Sequence, residues 1–174
     1  MEDVMIKSAH TKNFTMDYIQ FGTGSRPLVI LPGLSVEKIT KYADVIADSY
    51  KLFASDFIVY VFDRRKELPS YFTVIDMAED TALAIESMGL SKISLAGMSQ
   101  GGMMAMTIAA NNPDMVGKLI LSSTSSCIKS AQYKTIEKWI EVAKTGDTAA
   151  LFWQAVCIIL ISAISLKILH VLSW

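Results

Sequence analysis

The apolar positions of this chain fall into short runs of two kinds. Residues 14–21, FTMDYIQF, alternate imperfectly and stop at GTGS, which predicts a strand before a turn. RPLVILPG, 26–33, is a continuous apolar run closed by Pro-Gly, the pattern of a strand buried on both faces. FIVYVFDRR (57–65), KISLAGM (92–98) and GKLILSS (117–123) repeat that pattern. Between these runs the period lengthens. Residues 38–53 predict a helix with Ile39, Tyr42, Ala43, Ile46 and Tyr50 on one side. Residues 73–89 predict another, with Ile75, Ala78, Ala82 and Ile85 along one face. Residues 100–111 read as helical. Residues 132–144 are amphipathic, with Ile136, Trp139, Ile140 and Ala143 at i, i+3, i+4 and i+7.

Apolar strands alternating with helices predict an α/β fold, a doubly wound and mostly parallel sheet covered on both faces. Ligands of such sheets bind beyond the carboxyl ends of the strands. Pro32-Gly33, Asp63-Arg64 and Ser99 each follow a predicted strand, so all three are expected along one edge.

The stretch SLAGMSQGGMMAM, 94–106, sets Gly97 and Gly101 two residues either side of Ser99. It follows a buried strand and opens a helix, the context in which G-x-S-x-G forms a nucleophile elbow. A strand that turns at once into a helix strains its corner residue. Side chains at 97 and 101 would collide there, and glycine removes them. Ser99 then stands at a helix N-terminus, where free N–H groups and the helix dipole favour developing negative charge. The Gln100 N–H is one expected oxyanion donor. The second is the Leu34 N–H, in LPGLS after the 26–31 strand.

The segments VILPGLS, VYVFDRR and ISLAGMSQGGMMAMTIAANNPDMVGKLILSSTSS, in their strand–helix order, resemble the α/β-hydrolase superfamily, and within it the esterase- and lipase-like, cap-bearing members. The resemblance covers residues 14–147. It implies ester or acyl hydrolysis of a small substrate through an acyl-enzyme on Ser99, with Leu34 and Gln100 as the oxyanion hole. It also implies a core over 1–130 and the start of a helical cap over 131–147. No cofactor and no metal is expected.

A serine is a weak nucleophile without a general base and an acid that orients the base. The family places both after the elbow. His10 precedes it, and a satisfied or solvent-exposed histidine is the expectation there. His170 follows it, inside SLKILHVL, and is the candidate base. The acids after Ser99 are Asp114, expected in a turn; Glu137 and Glu141, expected solvated or paired with Lys134 and Lys138; and Asp147, expected to cap the next helix. Asp63 ends a strand near the right edge and is expected to be structural. By resemblance the last two strands of the family are missing, and the chain reads as a truncated form with impaired activity. The rival reading is a non-catalytic protein that keeps the scaffold for binding or interaction.

Charge is uneven along the chain. All 17 acidic residues and all but one of the 16 basic residues lie in 1–147, while 148–174 carries Lys167 alone. The net charge of −1 gives no electrostatic reason to bind nucleic acid. Residues 148–166 carry no charge, a run close to bilayer-spanning length. Three readings of this tail stand: a membrane anchor, a helix packed on the sheet, or a segment foreign to the fold. The N-terminal stretch has no apolar secretory core, and the expectation is cytoplasmic. A sheet ending at the 117–122 strand would leave an edge open to self-association.

Overall fold

A computed structural model describes residues 4–35, 37–127, 130–151 and 153–154. The chain forms two compact units, Met1–Ser126 and Cys127–Trp174. In the first, strands β1 (Met5–His10), β2 (Thr15–Phe21), β3 (Arg26–Leu31), β4 (Phe57–Arg65), β5 (Ile93–Met98) and β6 (Val116–Ser122) build one six-stranded sheet in the order β1-β2-β4-β3-β5-β6. β1–β2 and β2–β4 are antiparallel, whereas β4–β3, β3–β5 and β5–β6 are parallel. This is the mixed, mostly parallel α/β sheet that the alternation predicts.

Side chains of a strand point alternately to its two faces, and that rule divides the core. Val29 and Leu31 of β3 join Tyr60, Phe62, Ile93 and Leu95 on one face, beneath α2 (Val74–Ser87) and α3 (Gln100–Asn111). Leu28 and Ile30 join Val59, Val61 and Ile19 on the other, with Ile39 and Ala47 of the segment between β3 and β4 packed against them. The predicted 38–53 helix is broken in three: a 3₁₀ turn at Ile39–Tyr42, α1 (Ala43–Ser49) and a second 3₁₀ turn at Lys51–Phe53. Ile39, Ala43, Ile46 and Tyr50 keep the expected side, but Tyr42 turns outward and donates its hydroxyl to Glu37 at 2.7 Å. On α2, Ile75 is likewise exposed, while Ala78, Ala82 and Ile85 are buried with Thr81 and Ala84.

β1 has no counterpart in the sequence reading, which puts His10 ahead of the first strand. Its burial explains the omission, because only Ala9 is fully buried and Ile6 is 56% exposed. β6 departs in the other direction. It reads as a buried strand, yet Leu119, Ile120 and Leu121 are 41%, 51% and 43% exposed. Among the described residues it pairs with β5 alone.

The second unit holds α4 (Ser130–Thr145). Glu141 pairs with Lys144 at 2.8 Å rather than with Lys138. The Ala150 N–H donates to Asp147 Oδ1 at 2.8 Å, the N-cap expected of Asp147. Trp139 and Ile136 are half-buried, and Ile140 is exposed. His170 and most of the apolar tail lie outside the described residues. Among the described residues no helix is long and apolar enough to cross a membrane.

Candidate functional site

The parallel strands β3, β4 and β5 bring their carboxyl ends to one edge, and three short segments meet there. They are the turn Pro32–Ser35 after β3, Asp63-Arg64 at the end of β4, and Ser99 between β5 and α3. Residues from all three regions line one cavity of about 30 Å³, among them Gly33, Ser35, Asp63, Arg64 and Gln100. That is room for at least one water molecule.

Ser99 lies at φ 52, ψ −119. Such a backbone costs a non-glycine residue on the order of 1–3 kcal/mol and persists only where its surroundings over-determine it. The glycines show how the corner closes. A Cβ on Gly97 would come 2.5 Å from the Gly101 carbonyl oxygen, and one on Gly101 would come 2.0 Å from the Leu31 carbonyl oxygen. The two glycines therefore let the helix start press against both its own strand and β3. The turn after β3 lies against the serine as well. A Cβ on Gly33 would stand 3.3 Å from Ser99 Cβ and 3.8 Å from its Oγ.

Ser99 is exposed, and its side chain makes no cap hydrogen bond to α3. Its backbone N–H donates to the Ser122 carbonyl at 3.0 Å. Its carbonyl accepts from the Gly102 and Met103 N–H groups at 3.0 and 3.2 Å, and from the Thr124 hydroxyl at 2.7 Å. Neither the Leu34 nor the Gln100 N–H is engaged in a hydrogen bond among the described residues.

The turn that carries Leu34 is held from β4. The Arg64 guanidinium donates through Nη2 to the Ser35 carbonyl. Asp63 is one of two buried polar residues in the described core. Its Oδ1 accepts the Arg64 N–H at 2.8 Å, and its Oδ2 stands 3.4 Å from the N–H and hydroxyl of Thr40. Its carboxylate oxygens face these donors, as a structural acid's would. Neither the Arg64–Ser35 contact nor the Thr124 bond is read from the sequence. The hydroxyl run SSTSS, directly after a strand beside the elbow, is the one available signal for the second.

The remaining candidates lie elsewhere. His10 is on β1, four strand spacings from β5, roughly 19 Å across the sheet. Its Nδ1 is 3.4 Å from the Thr15 hydroxyl. Asp114 is exposed in the turn before β6, at the opposite end of that strand from Ser99. Glu137, Glu141 and Asp147 belong to the second unit.

A family model described as alpha/beta hydrolase fold matches residues 12–151. Over 53 residues the chain is 36% identical to a Caulobacter segnis protein that is a carbamate hydrolase by name, RutD; the match takes in 30% of this chain and 20% of that one. Among solved structures, a hydrolase from Pseudomonas aeruginosa PA01 superposes with a TM-score of 0.66 at 19% identity, over 86% of this chain and 57% of that one. A thermophilic esterase from Thermogutta terrifontis superposes with a TM-score of 0.61 at 22% identity, over 82% and 53%. These likenesses to solved structures are likenesses of fold. The chain spans a fifth of the length of RutD and little more than half of either solved structure.

Proposed function

The chain belongs to the alpha/beta hydrolase fold family, and from that membership we propose that it is a serine hydrolase acting on a small ester or acyl substrate. Ser99 is the nucleophile. Its Oγ attacks the acyl carbonyl and the alcohol leaves, giving an acyl-enzyme that water then hydrolyses. The N–H groups of Leu34 and Gln100 receive the oxyanion of each tetrahedral intermediate. The observation that carries the reading is the backbone of Ser99, a strained non-glycine corner packed by Gly97 and Gly101 with its hydroxyl uncommitted.

The candidate base His170 lies outside the described residues, and the expectation carried from the sequence is impaired activity. An oxyanion hole without its triad supplies only a residual acceleration. The second reading is a non-catalytic member that binds a small ligand or a partner. Among the described residues β6 pairs with β5 alone, and self-association through it is proposed under either reading.

A fluorophosphonate probe separates the readings, since it labels an activated serine. The expected result is one slow adduct per chain, read by intact mass and absent in Ser99→Ala. An unlabelled chain leaves the non-catalytic reading. Turnover of p-nitrophenyl acetate is expected to be weak or nil. A robust rate that Ser99→Ala abolishes would make His170 the base to test, through His170→Ala.

A further inference from the structure

We infer that Thr124 is a positioning residue for Ser99, and that the turn after β6 holds the nucleophile's backbone in its working conformation. The inference rests on Ser99 being the nucleophile. Serine is among the strongest N-cap residues, and an ordinary N-cap serine has extended backbone and spends its hydroxyl on an N–H of its own helix. Ser99 occupies that position before α3 yet makes no such bond. Something outside the helix must keep the backbone out of the extended region, or the nucleophilic oxygen is consumed as a cap.

β6 and its turn supply the restraint. The last residues of the two strands are paired, Met98 with Ser122. The next residue on each strand, Ser99 at φ 52 and Ser123 at φ 49, enters the left-handed region without being glycine. The turn at Ser123 brings Thr124 back over the elbow. Ser99 is then gripped at both backbone polar groups: its N–H donates to the Ser122 carbonyl, and its carbonyl accepts the Thr124 hydroxyl at 2.7 Å. The Gly102 and Met103 N–H groups that share this carbonyl belong to α3 itself, so Thr124 is the donor from outside. Gly102 makes room for it, because a Cβ there would fall 2.5 Å from Thr124 Cβ.

The test is made on the full chain with three substitutions. Thr124→Val keeps the shape and removes the hydroxyl, Thr124→Ser keeps the hydroxyl, and Thr124→Ala removes both. Two quantities are read: the rate at which a fluorophosphonate probe labels Ser99, and the Ser99 amide–α-proton coupling by NMR, which reports φ. Thr124→Val and Thr124→Ala are expected to label roughly five- to tenfold more slowly, as the loss of one hydrogen bond implies, and to move the coupling. Thr124→Ser is expected to match the unaltered chain in both. If Thr124→Val does not fold, Thr124→Ala decides in its place. A Val variant with unchanged labelling and coupling overturns the inference. So does a Ser variant that is impaired while Val is spared, since that pattern belongs to packing. If the unaltered chain takes no label, the hydrolytic reading fails, and the coupling still decides whether Thr124 holds the corner.

Discussion

A methyl group added at position 101 has nowhere to go. It would meet the Leu31 carbonyl oxygen at 2.0 Å and the Pro32 carbonyl oxygen at 2.4 Å, both backbone atoms of a central strand and its turn. Gly101→Ala is therefore expected to cost about 3 kcal/mol, the upper end of overpacking penalties. Thermal unfolding would show a lower midpoint, and Ser99 would no longer take the fluorophosphonate label. Unchanged melting would mean the corner has slack that the packing does not show. The motif is legible in the sequence because Gly97, Ser99 and Gly101 lie within five positions, although the carbonyls that crowd Gly101 belong to Leu31 and Pro32. The Thr124–Ser99 bond spans 25 positions and the Arg64–Ser35 contact 29, and no local pattern encodes either.

Helix α2 lies within its predicted 73–89 span, although Ile75 faces outward. Its start carries a reciprocal capping box. The Asp76 N–H donates to Thr73 Oγ1 at 3.2 Å, and the Thr73 N–H donates to Asp76 Oδ2 at 2.7 Å. Replacing Thr73 with Ala should destabilise the domain by about 1 kcal/mol, a drop in melting temperature of a few degrees by calorimetry with no change in Ser99 labelling. A change in labelling would mean that the helix start communicates with the edge. The 38–53 stretch fails as one helix although its apolar side is right. Lys38 and Tyr42 open its first two pieces without a side-chain cap, and the chain tightens into 3₁₀ turns at either end. β1 was invisible for a different reason. An edge strand that buries one small alanine leaves no alternation to detect, and Lys7 in its middle is a residue that guards such edges.

At the scale of the molecule the two edges of the sheet are unlike. β1 presents Met5 and Ile6 beside Lys7, Ser8 and His10, whereas β6 presents Leu119, Ile120 and Leu121 in succession with Lys118 as its one charge. Consecutive residues of a strand face opposite ways, so both faces of β6 are incompletely covered among the described residues. Apolar strand edges seek other chains. Light scattering of the isolated chain is expected to show oligomers or aggregates, and Ile120→Lys is expected to shift the distribution toward monomer. A monodisperse monomer of the unaltered chain would count against this. The alternation of apolar runs made the order of elements legible, whereas the exposure of β6 among the described residues could be anticipated only as an open edge.

The grip of β6 on Ser99 also sets a limit in time. Outer strands open and close locally far more often than a domain unfolds, and each opening has its own free energy. When β6 lifts from β5, the Ser122 carbonyl and the Thr124 hydroxyl leave together. The serine hydroxyl can then fall into the cap of α3. On the proposed reading of Ser99 as nucleophile, docked β6 is the form that keeps its hydroxyl out of that cap. Whatever binds the far side of that strand would raise the population of that form without touching the serine.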